Sequence, residues 1–280
     1  MTSKDWRLLI DCSDQEGLVH KVTGVLYRAH CNVLVNHEFA DPQTSRFFMR
    51  TEFVGEIDKD AIIGELQEVL PPEPFLKLIQ PGKARIVLLA TKEHHCLADI
   101  LTRCSFGEID AGVTGVISNH DALKFYVEKF DIPFHLCSHL EVSREEQERQ
   151  VIEHLERIDP HYIVLAKYMR ILSPDFVNRF ANRMINIHHS FLPAFVGAKP
   201  YHQAWERGVK VIGATAHFVT ERLDEGPIIE QQVINVNHSH GPKDMAAAGR
   251  DVERLTLARA LRLVLEDRVF LNGHRTVIFD

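Results

Sequence analysis

The strongest chemical signal in the chain is an Asn-x-His pair where an apolar run ends. In Asn186-Ile187-His188-His189-Ser190-Phe191-Leu192-Pro193 the hydrophobic stretch that starts at Met184 closes on polar side chains. Residues two apart in extended backbone share a face, so Asn186 and His188 can converge on one point while His189 is expected to face away. An Asn amide can donate to a developing oxyanion, and a His can give or take a proton near neutral pH. By itself such a pair more often merely satisfies loop backbone. A second segment adds weight: His217-Phe218-Val219-Thr220-Glu221-Arg222-Leu223-Asp224-Glu225-Gly226-Pro227. It is an acidic loop between two apolar runs, turned by Gly-Pro, from which Asp224 can point back to orient or charge-pair with His188. Loop carboxylates are more often solvated or capping, so the case rests on the two segments together.

The other reactive residue types promise less. There are 17 His, with clusters at His94-His95, His188-His189 and His238 with His240. Adjacent histidines on a strand point to opposite faces and do not readily share an ion. His94-His95, at a helix start, should diverge in the same way, and His238-Ser239-His240 lies in a polar, loop-like stretch. No His-Glu-x-x-His signature occurs, and no metal site is expected. Cys12, Cys31, Cys96, Cys104 and Cys137 form no Cys-x-x-Cys pair. They read as buried thiols of a reducing compartment, without a nucleophile context.

Two different rhythms must position these groups. Trp6 to Ile10 reads as a strand, Asp14-Gln15-Glu16-Gly17 as a turn, and Leu18, Val22, Val25, Leu26 and Ala29 as one helical face. Asn32 to Glu38 and Arg46 to Val54 follow as strands, Ile62 to Leu70 as a helix and Phe75 to Gln80 as a last strand. The order βαββαβ predicts a ferredoxin-like unit over residues 1–80, two helices on one face of an antiparallel sheet. Pro81-Gly82 marks a boundary. Beyond it, over residues 83–280, Ile86 to Ala90, Val113 to Ser118, Phe134 to Cys137, Tyr162 to Ala166 and Met184 to Ile187 are apolar strands. Helical stretches at Cys96 to Cys104, Asp121 to Phe130, Ser143 to Arg157 and Pro174 to Arg179 separate them, with capping signals at Ser143/Glu146 and Ser173-Pro174. Val211 to Thr220 and Ile228 to Val236 add strands, and Met245 to Glu266 reads as a long closing helix. The alternation predicts a doubly wound, mostly parallel, Rossmann-like α/β sheet, whose ligands bind beyond the carboxyl ends of the strands. The run Arg144 to Arg149 reads as a solvated helix face.

Composition narrows the partners. The 280 residues carry 32 Lys plus Arg against 39 Asp plus Glu, a net charge of −7, so no basic surplus invites nucleic acid. Hydrophobic residues at 45% and charged ones at 25% fit a globular chain. No uncharged apolar run approaches the ~20 residues a membrane span needs. The opening MTSKDWRLLIDCSDQEG meets Asp and Glu too early for a secretory signal, and a cytoplasmic location is expected.

Asn186-Ile187-His188 with Ser190-Phe191-Leu192-Pro193, followed by Leu223-Asp224-Glu225-Gly226-Pro227, resembles the folate-dependent formyltransferase family over about residues 84–280. Tyr168-Met169-Arg170-Ile171-Leu172 resembles the loop whose backbone holds the pterin ring in that family. The resemblance implies Asn186, His188 and Asp224 as the catalytic trio. It implies Met169, Arg170, Ile171, Leu172, His217 and Gly226 as substrate contacts, and neither metal nor separate cofactor. The first unit resembles an ACT domain, an amino-acid-sensing module, with Asp14, Gly17 and Asn32 at positions like its ligand loop and interface strand. Their plain structural duties would be a helix cap, a turn and a helix end. ACT modules pair side by side, which implies a homo-oligomer, and the family suggests glycine and methionine as opposing effectors.

One departure separates this chain from members that formylate a phosphorylated amine. Those open the first strand–helix turn with a glycine-rich, phosphate-cradling loop. Here the place reads Ala90-Thr91-Lys92-Glu93-His94-His95-Cys96-Leu97-Ala98-Asp99, with no glycine and an added negative charge. Water becomes the expected acceptor: 10-formyltetrahydrofolate is hydrolysed to tetrahydrofolate and formate, feeding purine synthesis and balancing one-carbon folates by family analogy. Transfer to a small amine, and a silent folate or amino-acid sensor, are the alternatives.

Overall fold

The change of rhythm at Pro81-Gly82 corresponds to a change of sheet. A computed structural model describes residues 4–193 and 200–280 and divides the chain into two units. The first contains the residues up to Gly82 together with Glu266–Asn272 and Val277–Asp280; the second contains Lys83–Leu265 and Gly273–Thr276.

In the first unit β1 (Lys4–Ser13), α1 (Leu18–Arg28), β2 (Asn32–Asp41), β3 (Arg46–Gly55), α2 (Lys59–Val69) and β4 (Phe75–Ile79) follow the expected βαββαβ order. The sheet runs β2-β3-β1-β4 with every pairing antiparallel. Leu8, Ile10, Met49 and Phe53 from the strands pack with Leu18, Val22 and Leu26 of α1 and Leu66 of α2. The intervening positions are apolar too: Leu9 and Phe48 join Phe270 and Phe279 in a separate cluster. Both faces of this sheet therefore need cover, and the end of the chain supplies part of it. This corrects the expectation that all of residues 83–280 belong with the second sheet. The fully buried Arg50 reinforces the arrangement, donating to the carbonyls of Glu266 (2.8 Å) and Asp267 (3.0 Å) and to the Glu52 carboxylate (2.6 Å). The chain reaches Phe279 through a hairpin the sequence reading did not anticipate, β12 (Val269–Asn272) and β13 (Arg275–Ile278).

Two of the structural duties suggested for the first unit are also corrected. Gly17 itself, with φ of 83°, is the N-cap of α1 and makes the turn; Asp14 caps nothing, its N–H donating instead to the Ser45 carbonyl (2.9 Å). Asn32 does not end α1, which stops at Arg28; it opens β2 opposite Val54.

The second unit holds seven strands in the order β11-β10-β9-β8-β5-β6-β7. These are β5 (Ala84–Ala90), β6 (Ala111–Ser118), β7 (Phe134–Leu136), β8 (Tyr162–Leu165), β9 (Met184–His188), β10 (Val211–Phe218) and β11 (Ile228–Asn235). β5 to β9 are parallel, and only β10 runs against its neighbours. The chain winds outward from β5 to β7, then returns to β8 beside β5, so the order reverses between β5 and β8. The helices are α3 (His95–Ser105), α4 (Lys124–Glu128), α5 (Arg144–Ile158), α6 (Pro174–Arg179), α7 (Pro200–Glu206) and α8 (Pro242–Leu265). α4 is shorter than expected. The Ser143 and Ser173 hydroxyls accept from the N–H groups of Glu146 and Phe176 (3.2 Å each), so both serines cap as read. The Glu146 carboxylate accepts from Arg149 (2.7 Å) and Gln150 (3.1 Å) and closes no reciprocal box with Ser143 among the described residues.

The charged run at the start of α5 is not wholly solvated. Gln147 and Glu148 are buried, Gln147 donating to the Cys137 carbonyl (3.2 Å) and the Tyr168 hydroxyl (2.9 Å). All five thiols are free, and burial pushes Cys12, Cys104 and Cys137 up to about 11, far from thiolate at neutral pH.

Candidate active site

β9 ends at the carboxyl edge of the sheet and delivers Asn186 and His188 to the same cavity of ≈480 Å³. Period-two alternation places them together, as expected. β10 lies antiparallel beside β9 with His217 opposite Asn186 and Thr215 opposite His188. The Asn186 amide donates to His217 Nε2 (3.2 Å), while His217 Nδ1 donates to the Phe218 carbonyl (2.8 Å). Burial lowers His217, consistent with a neutral ring whose Nδ1 carries the proton and whose Nε2 accepts. The second N–H of the Asn186 amide has no partner among the described residues.

The acidic loop brings Asp224 back with a left-handed backbone (φ 57°). Its Oδ1 lies 3.2 Å from His188 Nδ1 and 3.9 Å from His217 Nε2. Burial alone would raise this carboxyl; the hydrogen bond and charge of His188, with His217 and His189 adding, outweigh it and hold Asp224 below its ordinary value. His188 is only 6% exposed, and its Nε2 is buried with no partner among the described residues. An imidazole fixed by an acid on one nitrogen and free on the other can donate to, or accept from, a bound group.

Gly226 is not among the residues that line the cavity. A Cβ there would meet the Phe218 carbonyl oxygen at 1.7 Å. Gly226 lets the loop close on β10, where Phe218 N–H donates to the Pro227 carbonyl (2.9 Å).

The second wall is the segment after β8. Lys167 turns it with a left-handed φ of 63°. Met169 N–H donates to Thr91 Oγ1 (2.9 Å), Arg144 donates to the Ile171 carbonyl (2.8 Å) and Ser173 N–H to Glu148 Oε1 (2.9 Å), so the segment is held along its length. Met169, Arg170, Ile171 and Leu172 all line the cavity, with Met169 60% and Ile171 61% exposed. Leu223 from the acidic loop lines it as well and is also exposed. Large apolar side chains left in the open at a cavity suit a flat ring system.

Two histidines behave differently from expectation. His189 does not face away. The strand stops at His188, so alternation ends there, and the two rings stack with centroids 4.9 Å apart and planes 25° apart. Burial, then the charges of Lys167 and His188, push His189 down to about 4, so it is neutral near pH 7. His95 does diverge from His94, but into the protein: its Nε2 lies 2.8 Å from Glu253 Oε2. Lys167 Nζ is 3.1 Å from the same oxygen, and the Tyr201 hydroxyl donates to Oε1 (2.7 Å). Burial would raise Glu253, yet these partners hold it at about 2. His95, Cys96 and Glu253 bring metal-ligand atoms within 4.8 Å of one another, and the Lys167 ammonium already supplies the positive charge at that carboxylate. The sequence contained one overlooked cue: Glu253 falls on the buried stripe of α8 with Gly249, Leu257, Ala260 and Val264.

The α/β fold thus places an amide N–H and an acid-supported imidazole beside a slot with exposed apolar walls, an arrangement that can serve acyl transfer. The family described as formyl transferase matches residues 84–261, and the chain belongs to it. Similarity to particular proteins runs further, through both units. A formyltetrahydrofolate deformylase of Escherichia coli O6:H1 is 52% identical over 267 residues, 95% of each chain. One from Bacillus subtilis is 43% identical over 98% of this chain and 93% of its own. The crystal structure of a formyltetrahydrofolate deformylase from Pseudomonas syringae superposes with a TM-score of 0.95 at 41% identity, covering 100% of this chain and 96% of that one. A glycinamide ribonucleotide transformylase from Symbiobacterium toebii, TM-score 0.68 at 34% identity, covers only 71% of this chain but 95% of its own.

Proposed function

We propose that the chain hydrolyses 10-formyltetrahydrofolate to tetrahydrofolate and formate, supplying formate for purine synthesis and balancing one-carbon folates. The reading is carried by one observation: Asn186, His188 and Asp224 line one cavity, with His188 Nδ1 3.2 Å from the acid and its Nε2 unpartnered. The pterin ring lies against Met169 to Leu172 and the formyl group against the trio. Water adds to the formyl carbon as Asp224 takes its proton. The carbonyl oxygen becomes an oxyanion that accepts from the free N–H of Asn186 and from Nε2 of protonated His188. Collapse breaks the C–N bond, and the arylamine nitrogen takes up the proton that Asp224 had accepted. Formic acid leaves and ionises in solvent. His217 acts through Asn186, whose amide it orients. No cofactor is required beyond the folate substrate.

The first unit is read as an ACT-type sensing module. Asp14, Gly17 and Asn32 are exposed; on this reading they receive an amino-acid effector, glycine or methionine, and pairing of such units makes a homo-oligomer. No described helix is long and apolar enough to cross a membrane, in keeping with work in the cytoplasm. Product analysis tests the central reading. Formate released from 10-formyltetrahydrofolate without any acceptor supports hydrolysis. Turnover only when an amine is added would make the chain a transferase, and folate binding without turnover would make it a sensor.

A further inference from the structure

Four segments of the second unit meet behind His189. Lys167 comes from the segment after β8, Tyr201 from α7, Glu253 from α8, and His95 from the start of α3. Lys167 is 5% exposed and Glu253 1%, so an opposite-charge pair is sealed from water beside the cavity that Lys167, His188 and His189 line. Tyr201 reaches Glu253 because α8 has a glycine there: a Cβ at Gly249 would lie 2.0 Å from the Tyr201 hydroxyl oxygen. Glu253 has partners on both oxygens, His95 and Lys167 on one and Tyr201 on the other.

The hydrolytic reading, on which this argument rests, requires His188 to carry positive charge while the oxyanion forms. His188 stacks on His189, and the Lys167 charge acts on His189. An unbalanced ammonium at Lys167 would oppose a second positive charge on the stacked pair. We propose that Glu253 is a positioning residue for the reaction: by neutralising Lys167 behind His189, it allows the imidazole of His188 to hold its proton opposite Asp224. His189 then presents a neutral face to the His188 cation. The other ionisable groups around the pair are Asp224 and His217 on the opposite side, Tyr201 on α7, Cys96, His95 and Glu93 at the start of α3, and Arg250 on α8. Among these, Glu253 is the buried carboxylate in direct contact with Lys167.

The test is the pH profile of kcat/KM for formate release by the full chain. Its alkaline limb reports loss of the protonated form that the oxyanion step requires. Glu253→Gln leaves Lys167 unbalanced, and the limb should move to lower pH by about one unit. At a fixed pH on that limb the variant should lose roughly tenfold in kcat with little change in KM. Lys167→Met leaves Glu253 unbalanced and should move the limb the other way. The double variant Glu253→Gln/Lys167→Met removes both charges and should return the limb to its original position. A buried pair replaced together by neutral groups is the substitution a fold tolerates best, so the double variant carries the test if either single variant fails to fold. A limb displaced in the double variant, or displaced in the same direction in both single variants, overturns the proposal. So does a limb unmoved in Glu253→Gln when only thermal stability has fallen. No formate from the unsubstituted chain would overturn the hydrolytic reading instead, and this proposal with it.

Discussion

Two carboxylate–imidazole pairs stand in the second unit, and they differ in what surrounds them. Asp224 and His188 meet on a loop and a strand end at the cavity, 3.2 Å apart, with one imidazole nitrogen unpartnered among the described residues. Glu253 and His95 meet between two helices, 2.8 Å apart, and each oxygen of the acid has at least one partner, with Lys167 and Tyr201 adding to His95. Burial and charge act on both acids. Each imidazole keeps one nitrogen without a hydrogen-bond partner among the described residues, but that of His188 belongs to the cavity shared with Asn186, while Nδ1 of His95 lies 3.5 Å from the Glu93 carboxylate. Reactivity in this unit is therefore a matter of what the free nitrogen faces, more than of residue type or depth.

The sharpest way to break that contrast is Asp224→Asn. The swap is nearly isosteric on a loop, so folding and folate binding should survive while turnover falls at least ~10²-fold. Near-normal formate release from this variant would remove Asp224 from the chemistry. Asn186→Ala comes next: the oxyanion loses a donor, and kcat should drop on the order of 10²-fold with a smaller change in KM. A change confined to KM would reduce Asn186 to a binding group. The smallest effect concerns the Glu253–His95 pair and stability. Glu253 sits near 2 against an ordinary value of 4.5, so the folded form binds this proton less readily than the unfolded form. Its stabilising contribution is complete above pH 4.5 and is lost as pH falls toward 2. His189, held near 4 against 6.5, has the same sign over a higher window, so stability should already begin to decline as pH falls from 6.5 toward 4. Denaturant titrations between pH 7 and 3 should show the upper loss abolished in His189→Phe and the lower one reduced in Glu253→Gln.

Much of this was legible before any coordinates, because the signals were local. Asn186 and His188 share a face by strand period alone, the βαββαβ rhythm runs through consecutive residues, and Ser143 and Ser173 announce their helices within four positions. What escaped was long-range or sat where a periodic rule stops. His189 was assigned to the far face by an alternation that ends one residue earlier. The closeness of Gly226 to the Phe218 carbonyl depends on a neighbouring strand. Glu253 and Tyr201 meet His95 and Lys167 across gaps of up to 158 residues, which no local pattern encodes. The two-sided burial of the first sheet could have been suspected from the unbroken runs Leu8-Leu9-Ile10 and Phe47-Phe48-Met49, as strands apolar on successive positions need cover on both sides.

That second cover has a consequence for the order of events in synthesis. Phe270 and Phe279 pack on Leu9 and Phe48, and the carbonyls of Glu266 and Asp267 hold Arg50, so the unit begun first along the chain is finished by nearly its last residues. A ribosome must translate the whole catalytic unit before the N-terminal sheet can receive its last aromatic residues. Until then Leu9 and Phe48 lack those partners, and a nascent chain halted near residue 265 should be more readily captured by chaperones and proteases than one carried through to Phe279.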